Sequence, residues 1–159
     1  MNRARTMIAV AIIVVVAAVV LGVDLWRRSQ AAALEPGSIP IYVEGRLAGT
    51  FLPADLEALE QASFIDAEEG KTQEGWMLRD VLLLHVEERA LQPETRVVVS
   101  SSSREKSVEL TWAEVDDPAN RVMFDLAGKG TLKLVSTLER LDVRDEWVQD
   151  VDRIAVAAP

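Results

Sequence analysis

The chain contains no cysteine. That absence removes disulfides, thiolate nucleophiles and zinc–sulfur sites together. Histidine is almost missing as well, with His85 alone among 159 residues. Any nucleophile–base–orienter set would have to be assembled around that imidazole. His85 ends an amphipathic segment, where an imidazole satisfied by a carbonyl or a water is the simpler reading. Aromatic residues make up only 5% of the chain, and basic residues are outnumbered: 17 Lys and Arg stand against 26 Asp and Glu, a net charge of −9. The first thirty residues hold four of the arginines and one aspartate, so the remainder carries 13 basic and 25 acidic groups, about −12. Such a field repels phosphate backbones and anionic headgroups, which argues against nucleic acid as a partner.

Long apolar runs are also scarce; there is one. Met7–Val23 consists of Ala, Val, Ile, Leu, Met and a single Gly, without a charge. At 1.5 Å per helical residue it falls a little short of a hydrocarbon core of roughly 30 Å, and Leu25 and Trp26 extend it. Trp26-Arg27-Arg28 reads as an interfacial anchor, with the ring at headgroup depth. A cleaved signal peptide is the competing reading, given Arg3 and Arg5 before the run. Asp24, Trp26, Arg27 and Arg28, however, separate the run from the small residues Ala31–Ala33 where cleavage would occur. The division expected is a cytoplasmic tail over 1–6, a transmembrane signal-anchor over 7–26, a linker over 27–38 and a globular domain over 39–157. Two arginines flank each side of the run. The N-terminal amine and Asp24 tip the balance toward a tail kept in the cytoplasm and a domain exported to the extracytoplasmic side of the cell membrane.

Within the domain, hydrophobic periodicity alternates between strand and helix. Ile39, Ile41 and Val43 alternate with Pro40, Tyr42 and Glu44, as in a half-buried strand. Gly45 and Gly49 bracket a turn that returns through Phe51. Pro53, Asp55 and Glu57 suit the first turn of a helix, with Leu56 and Leu59 on its apolar face. A short strand over Phe64–Ala67 and a polar loop over Glu68–Glu74 follow. Leu78, Val81 and Leu82 give Trp76–His85 the face of a second helix. Val97 and Val99, then Val108 and Leu110, mark a strand pair joined by the loop Ser100–Lys106. Thr111-Trp112-Ala113-Glu114 is a capping box, so a single helical turn starts there and stops before Pro118. Strands at Val122–Leu126, Leu132–Ser136 and Val148–Val156 complete about seven. The class is α+β, a single β-rich mixed-sheet domain.

The order of these elements resembles the sulfite-oxidase-like molybdopterin-binding fold. The resemblance is carried by Gly75-Trp76-Met77-Leu78-Arg79-Asp80-Val81-Leu82, by Leu110-Thr111-Trp112-Ala113-Glu114, by Gly130-Thr131-Leu132-Lys133-Leu134-Val135, and by Trp147-Val148-Gln149-Asp150-Val151-Asp152-Arg153-Ile154. It spans nearly all of Ile39–Val156. The resemblance implies a molybdopterin oxidoreductase, with molybdenum held by a cysteine thiolate and the pterin phosphate by His and Arg residues. Here the place of that cysteine falls within Ile65-Asp66-Ala67-Glu68-Glu69-Gly70, where no thiolate exists. An anionic cofactor facing Asp66, Glu68, Glu69 and Glu74 would meet like charge. Arg79, Arg104 and Lys106 are the remaining candidates for holding a cofactor phosphate, in a basic pocket that they would have to form together.

Other patterns are weaker. The loop Ser100-Ser101-Ser102-Ser103-Arg104 offers hydroxyls and amides to an anion, or is a solvated hairpin loop. Asp142, Asp145, Glu146, Asp150 and Asp152 lack the Asp-x-Asp-x-Asp-Gly spacing of a calcium loop, and the alternation of Val148, Val151 and Ile154 turns most of them to solvent. Trp76, Trp112 and Trp147 read as packing residues rather than a ligand cage. The expectation is therefore a membrane-anchored extracytoplasmic binding module, on a molybdopterin-domain scaffold without cofactor or metal, that meets a protein partner or a small ligand. The alternative is a molybdopterin-dependent oxidoreductase, or an accessory subunit of a membrane redox complex.

Overall fold

The computed structural model describes residues 34–159. The expected cytoplasmic tail, the membrane anchor and part of the linker fall in 1–33, outside the described residues. Among the described residues, no helix is long and apolar enough to cross a membrane. What they form is a β-rich mixed-sheet domain with few helices.

Strand β1, Ile39–Val43, turns at Glu44 and Gly45 into β2, Arg46–Phe51. Both turn residues have positive φ, 51° and 74°, as a two-residue hairpin of this hand requires. The expected turn from Gly45 to Gly49 is thus too wide. Gly49 lies inside β2, where the register slips opposite Ile41 and Tyr42 and a Cβ would collide with the His85 imidazole. Pro53–Ala58 winds as a 3-10 turn instead of the expected helix. Asp55 accepts the Leu52 N–H at 2.7 Å there, and Leu56 is fully buried.

Strands β3, Gln61–Ile65, and β4, Thr72–Met77, pair antiparallel. The expected strand at Phe64–Ala67 therefore begins and ends earlier. The expected loop through Glu74 is shorter, because Thr72, Gln73 and Glu74 pair with Ile65, Phe64 and Ser63. Helix α1 covers only Leu78–Leu83, not Trp76–His85. Trp76 and Met77 pair with Phe124 and Met123 instead, and the Leu78 N–H reaches the Val122 carbonyl at 2.9 Å. Pairing with a distant strand overrides the local helical period at those two residues. Leu78, Val81 and Leu82 are fully buried, as their spacing predicts.

Strands β5, Arg96–Ser101, and β6, Lys106–Thr111, form the expected hairpin. Helix α2, Trp112–Asp116, follows at once. Its capping box closes as expected: Thr111 Oγ1 accepts the Glu114 N–H at 3.3 Å, and Glu114 Oε2 accepts the Thr111 N–H at 2.8 Å. Strands β7, Met123–Leu126, and β8, Leu132–Val135, pair antiparallel. The final strand, β9, is Arg153–Ala157, where Val148–Val156 is expected. Val148 makes only an isolated bridge to Leu134, and Asp150 takes φ 53°, which breaks the extended run. The Val151 N–H then bonds the Leu132 carbonyl and the Asp152 N–H that of Ser100. This stretch carries the chain from one sheet to the other.

One sheet has the order β2-β1-β9-β5-β6, with β1 and β9 parallel and the other pairs antiparallel. The other has the order β3-β4-β7-β8. Side chains alternate across a strand, so Trp76, Phe124 and Leu134 share one face of the four-stranded sheet. They join the main core, which draws on both sheets and both helices; Phe51 of β2 meets Phe124 with ring centroids 6.3 Å apart. Met77, Met123 and Val135 lie on the opposite face, in a second cluster closed by Trp147.

Candidate functional site

The segment Ile65–Gly70, where the resemblance would put a cysteine, holds an ionic network. Asp66 ends the β3 side of a hairpin that Gly70, at φ 66°, lets turn tightly. Its carboxylate is buried and accepts three hydrogen bonds: from the Glu69 N–H at 2.6 Å, Gln73 Nε2 at 2.9 Å and Arg144 Nη2 at 3.1 Å. The Glu69 amide, opposed by desolvation and helped by Arg144 and Gln73, holds the Asp66 carboxyl down at a pKa of about 2. Gln73 is itself a bridge, because its Oε1 accepts from Lys133 Nζ at 3.0 Å. Lys133 also pairs with Asp125 at 2.9 Å. These residues share the face of β4, β7 and β8 that carries the smaller cluster, so alternation alone brings Gln73, Asp125 and Lys133 together.

Arg144 closes the network from far along the chain. Its Nη1 meets Glu69 at 2.9 Å, and its backbone N–H donates to Glu68 at 3.0 Å. Arg144 and Lys133 both lie against the Trp147 ring, 5.7 and 5.0 Å from the centroid, while Trp147 Nε1 donates to the Leu141 carbonyl at 2.7 Å. Glu69 is shifted down by its hydrogen bond from Lys71 and by the Arg144 charge. Read linearly, Asp66–Glu74 has no basic cluster beside it; the folded chain supplies one through Lys133 and Arg144. The network fastens the turns Glu139–Leu141 and Arg144–Glu146 over the four-stranded sheet. The resemblance implies a thiolate ligand for molybdenum within Ile65–Gly70, and the buried side chain of that segment is instead a carboxylate engaged by three donors. These residues do not fit that group.

The three cationic candidates do not converge. Arg79 donates from Nε to Asp116 at 2.6 Å and from Nη1 to Asp80 at 3.3 Å, with Glu88 3.9 Å away. The Asp116 hydrogen bond raises the Arg79 pKa further. Beside it lies an open cleft of about 610 Å³, lined by Glu88, Leu91, Pro93, Trp112, Asp116 and Pro118 among others. Arg104 and Lys106 sit at the opposite end of β6 from α2. Arg104 donates to Asp150 at 2.7 Å, and Lys106 Nζ to the Asp145 carbonyl. Each cation has its own acidic or carbonyl partner.

Compared with known proteins, the chain matches no family model and no curated protein.

The remaining patterns resolve as follows. The serine loop is laid against the acidic segment, with the Ser102 N–H donated to Asp152 at 2.8 Å. Asp150 accepts from Thr131 at 2.8 Å as well as from Arg104, and these two donors lower its pKa. Of the five acids expected mostly to face solvent, Asp145 and Glu146 are exposed, while Asp150 and Asp152 are half-buried and tie two loops together. Among the described residues, no three His, Asp or Glu side chains converge as a metal site needs. His85 is half-buried and stacks on Phe51 with centroids 6.2 Å apart. Its Nε2 is buried without a partner, and desolvation pulls its pKa below the ordinary value against the opposing charge of Asp55. Trp76, Trp112 and Trp147 are all buried packing residues.

Proposed function

We propose that this chain is a membrane-anchored extracytoplasmic binding module, on a sulfite-oxidase-like scaffold that does no cofactor chemistry. The observation that carries this reading is the Asp66 network. Within Ile65–Gly70, where the resemblance would put a metal ligand, donors from Glu69, Gln73 and Arg144 hold the Asp66 carboxylate. A resemblance in the order of elements without the metal ligand supports reuse of the scaffold, since function lives in the site. The dispersal of Arg79, Arg104 and Lys106 supports the same conclusion, because an anionic pterin needs its cations in one place. The uncharged run Met7–Val23, followed by Trp26-Arg27-Arg28, supports the anchor. A domain with an acid excess suits exposure to solvent.

The test is metal analysis with absorbance spectroscopy on the full chain, purified in detergent from a host that makes molybdenum cofactor. The expected result is no stoichiometric molybdenum and no absorbance beyond the protein's own. Stoichiometric molybdenum would overturn the proposal in favour of the oxidoreductase reading. Protease protection in membrane vesicles checks the topology: the globular domain should be cut only from the extracytoplasmic side.

A further inference from the structure

Each sheet has two edges, and three of the four are blunted by devices that prevent strand pairing. Strand β2 carries a register slip and Arg46. Strand β6 carries Lys106 and Glu109. Strand β8 is covered where the Leu134 N–H meets the Val148 carbonyl and the Val151 N–H meets that of Leu132. Charges, bulges and covering segments are the usual protections of a sheet edge. Strand β3 has none of them. Its five residues, Gln61-Ala62-Ser63-Phe64-Ile65, include no charge, no proline and no glycine, and among the described residues nothing pairs with its outer side.

The hydrogen-bond parity of that edge is fixed. The Asp66 N–H bonds the Lys71 carbonyl at 2.9 Å, so by antiparallel alternation Phe64 and Ala62 turn their backbone groups toward β4. The N–H and C=O groups of Gln61, Ser63 and Ile65 therefore point outward. A groove of about 380 Å³ runs beside the same strand, lined by Glu60, Gln61, Ala62, Ser63, Met77 and Arg121, with Asp80. At the other end Ile65 is 69% exposed, and Leu126, on the same sheet face, is 47% exposed.

We infer that β3 is a docking edge that accepts an extended, basic segment of a partner protein as an added strand. Strand addition takes its affinity from main-chain hydrogen bonds and its selectivity from alternate side chains. Across β3 from an added strand lies Glu74, paired with the small Ser63. A lysine or arginine set opposite Ser63 passes that side chain to reach the Glu74 carboxylate. Glu60 offers a second acid at the mouth of the groove, and a β-branched residue fits beside Ile65. A second copy of the chain is the poorer occupant, since both copies would bring the same acid excess to the contact. The inference deepens the binding-module reading, on which it rests, by naming the surface and the class of partner.

The test pans a display library of random short peptides against the full chain in detergent micelles. Enriched peptides are then measured on two variants. Ser63→Pro removes one outward N–H and leaves the bonds to β4 intact, since proline is tolerated at such edge positions. Ile65→Lys adds a protective charge at an exposed side chain. The expected result is enrichment of basic peptides with alternating β-branched residues that bind either variant about tenfold more weakly, with amide exchange slowed at Gln61, Ser63 and Ile65. No enrichment, or peptides insensitive to both variants, overturns the docking edge. So does self-association of the parent chain that Ser63→Pro abolishes, because a second copy would then be the occupant. Peptides that bind elsewhere sink this inference and spare the binding-module reading, whereas stoichiometric molybdenum sinks that reading directly.

Discussion

Replacing Gly75 with alanine tests the close approach of β4 and β7 in the four-stranded sheet. A Cβ at residue 75 would overlap the Phe124 carbonyl and lie 3.0 Å from Asp125 Cα. The obstacle is backbone, so no side-chain rotation relieves it. Strand β7 is interior to its sheet, paired with β4 on one side and β8 on the other, and Phe124 is fully buried. Overpacking of this kind costs roughly 1–3 kcal/mol, and the rigid neighbour puts Gly75→Ala at the upper end. Against that, alanine narrows the unfolded ensemble and returns about 0.4–1 kcal/mol. The net loss is about 2–2.6 kcal/mol, or roughly 8–10 °C in Tm for a domain of this size. Thermal unfolding followed by circular dichroism measures it. Gly128→Ala is the control, since a Cβ there meets nothing within 4 Å, and it should shift Tm by no more than about 2 °C. A Gly75→Ala protein as stable as the parent would refute the close approach of β4 and β7.

Three further outcomes are expected. Asp66 has a folded pKa of about 2 against an ordinary 3.8, so its stabilising contribution is present above pH 3.8 and fades as pH falls through 2; Asp66→Asn should flatten the drop in Tm across that window, and identical acid profiles would contradict the network. The half-buried His85 ring should titrate below 6.5 by NMR; because its folded pKa is depressed, stability should decline as pH falls below 6.5, and a midpoint at or above 6.5 would contradict the burial of Nε2. Leu56→Ala, which empties a fully buried site, should cost about 2–4 kcal/mol by urea unfolding, and a loss below about 1 kcal/mol would show that the 3-10 turn is not anchored in the core.

Elements fixed by local chemistry were legible from the residues alone. The capping box at Thr111–Glu114 forms as its spacing predicts, and the Val97/Val99 and Val108/Leu110 alternations mark the β5–β6 hairpin. Trp76 and Met77 were misread because their helical period is genuine on the local scale, while their pairing with Phe124 and Met123 depends on residues far along the chain. Asp150 was misread for a related reason: a left-handed aspartate inside an alternating run leaves no trace in hydrophobicity. Arg144 was invisible as a partner of Asp66 because 78 positions separate them. The one usable hint was the alternation of Gln73 with Gly75 and Met77, which assigns a polar residue to the face of the smaller cluster. The bare edge of β3 could not be seen either, since an edge is defined by the order of strands and not by any one of them.

The central place of β9 has a consequence for how the chain reaches this state. The hairpins β1–β2 and β5–β6 close over short loops, but they join only through Arg153–Ala157, inserted between β1 and β5. The β1–β9 contacts span more than a hundred residues, as Ile41 to Ile154 does. Closing contacts at that separation costs more chain entropy than closing either hairpin, and topologies rich in such contacts fold more slowly. The five-stranded sheet is therefore complete only once Arg153–Ala157 has inserted between β1 and β5.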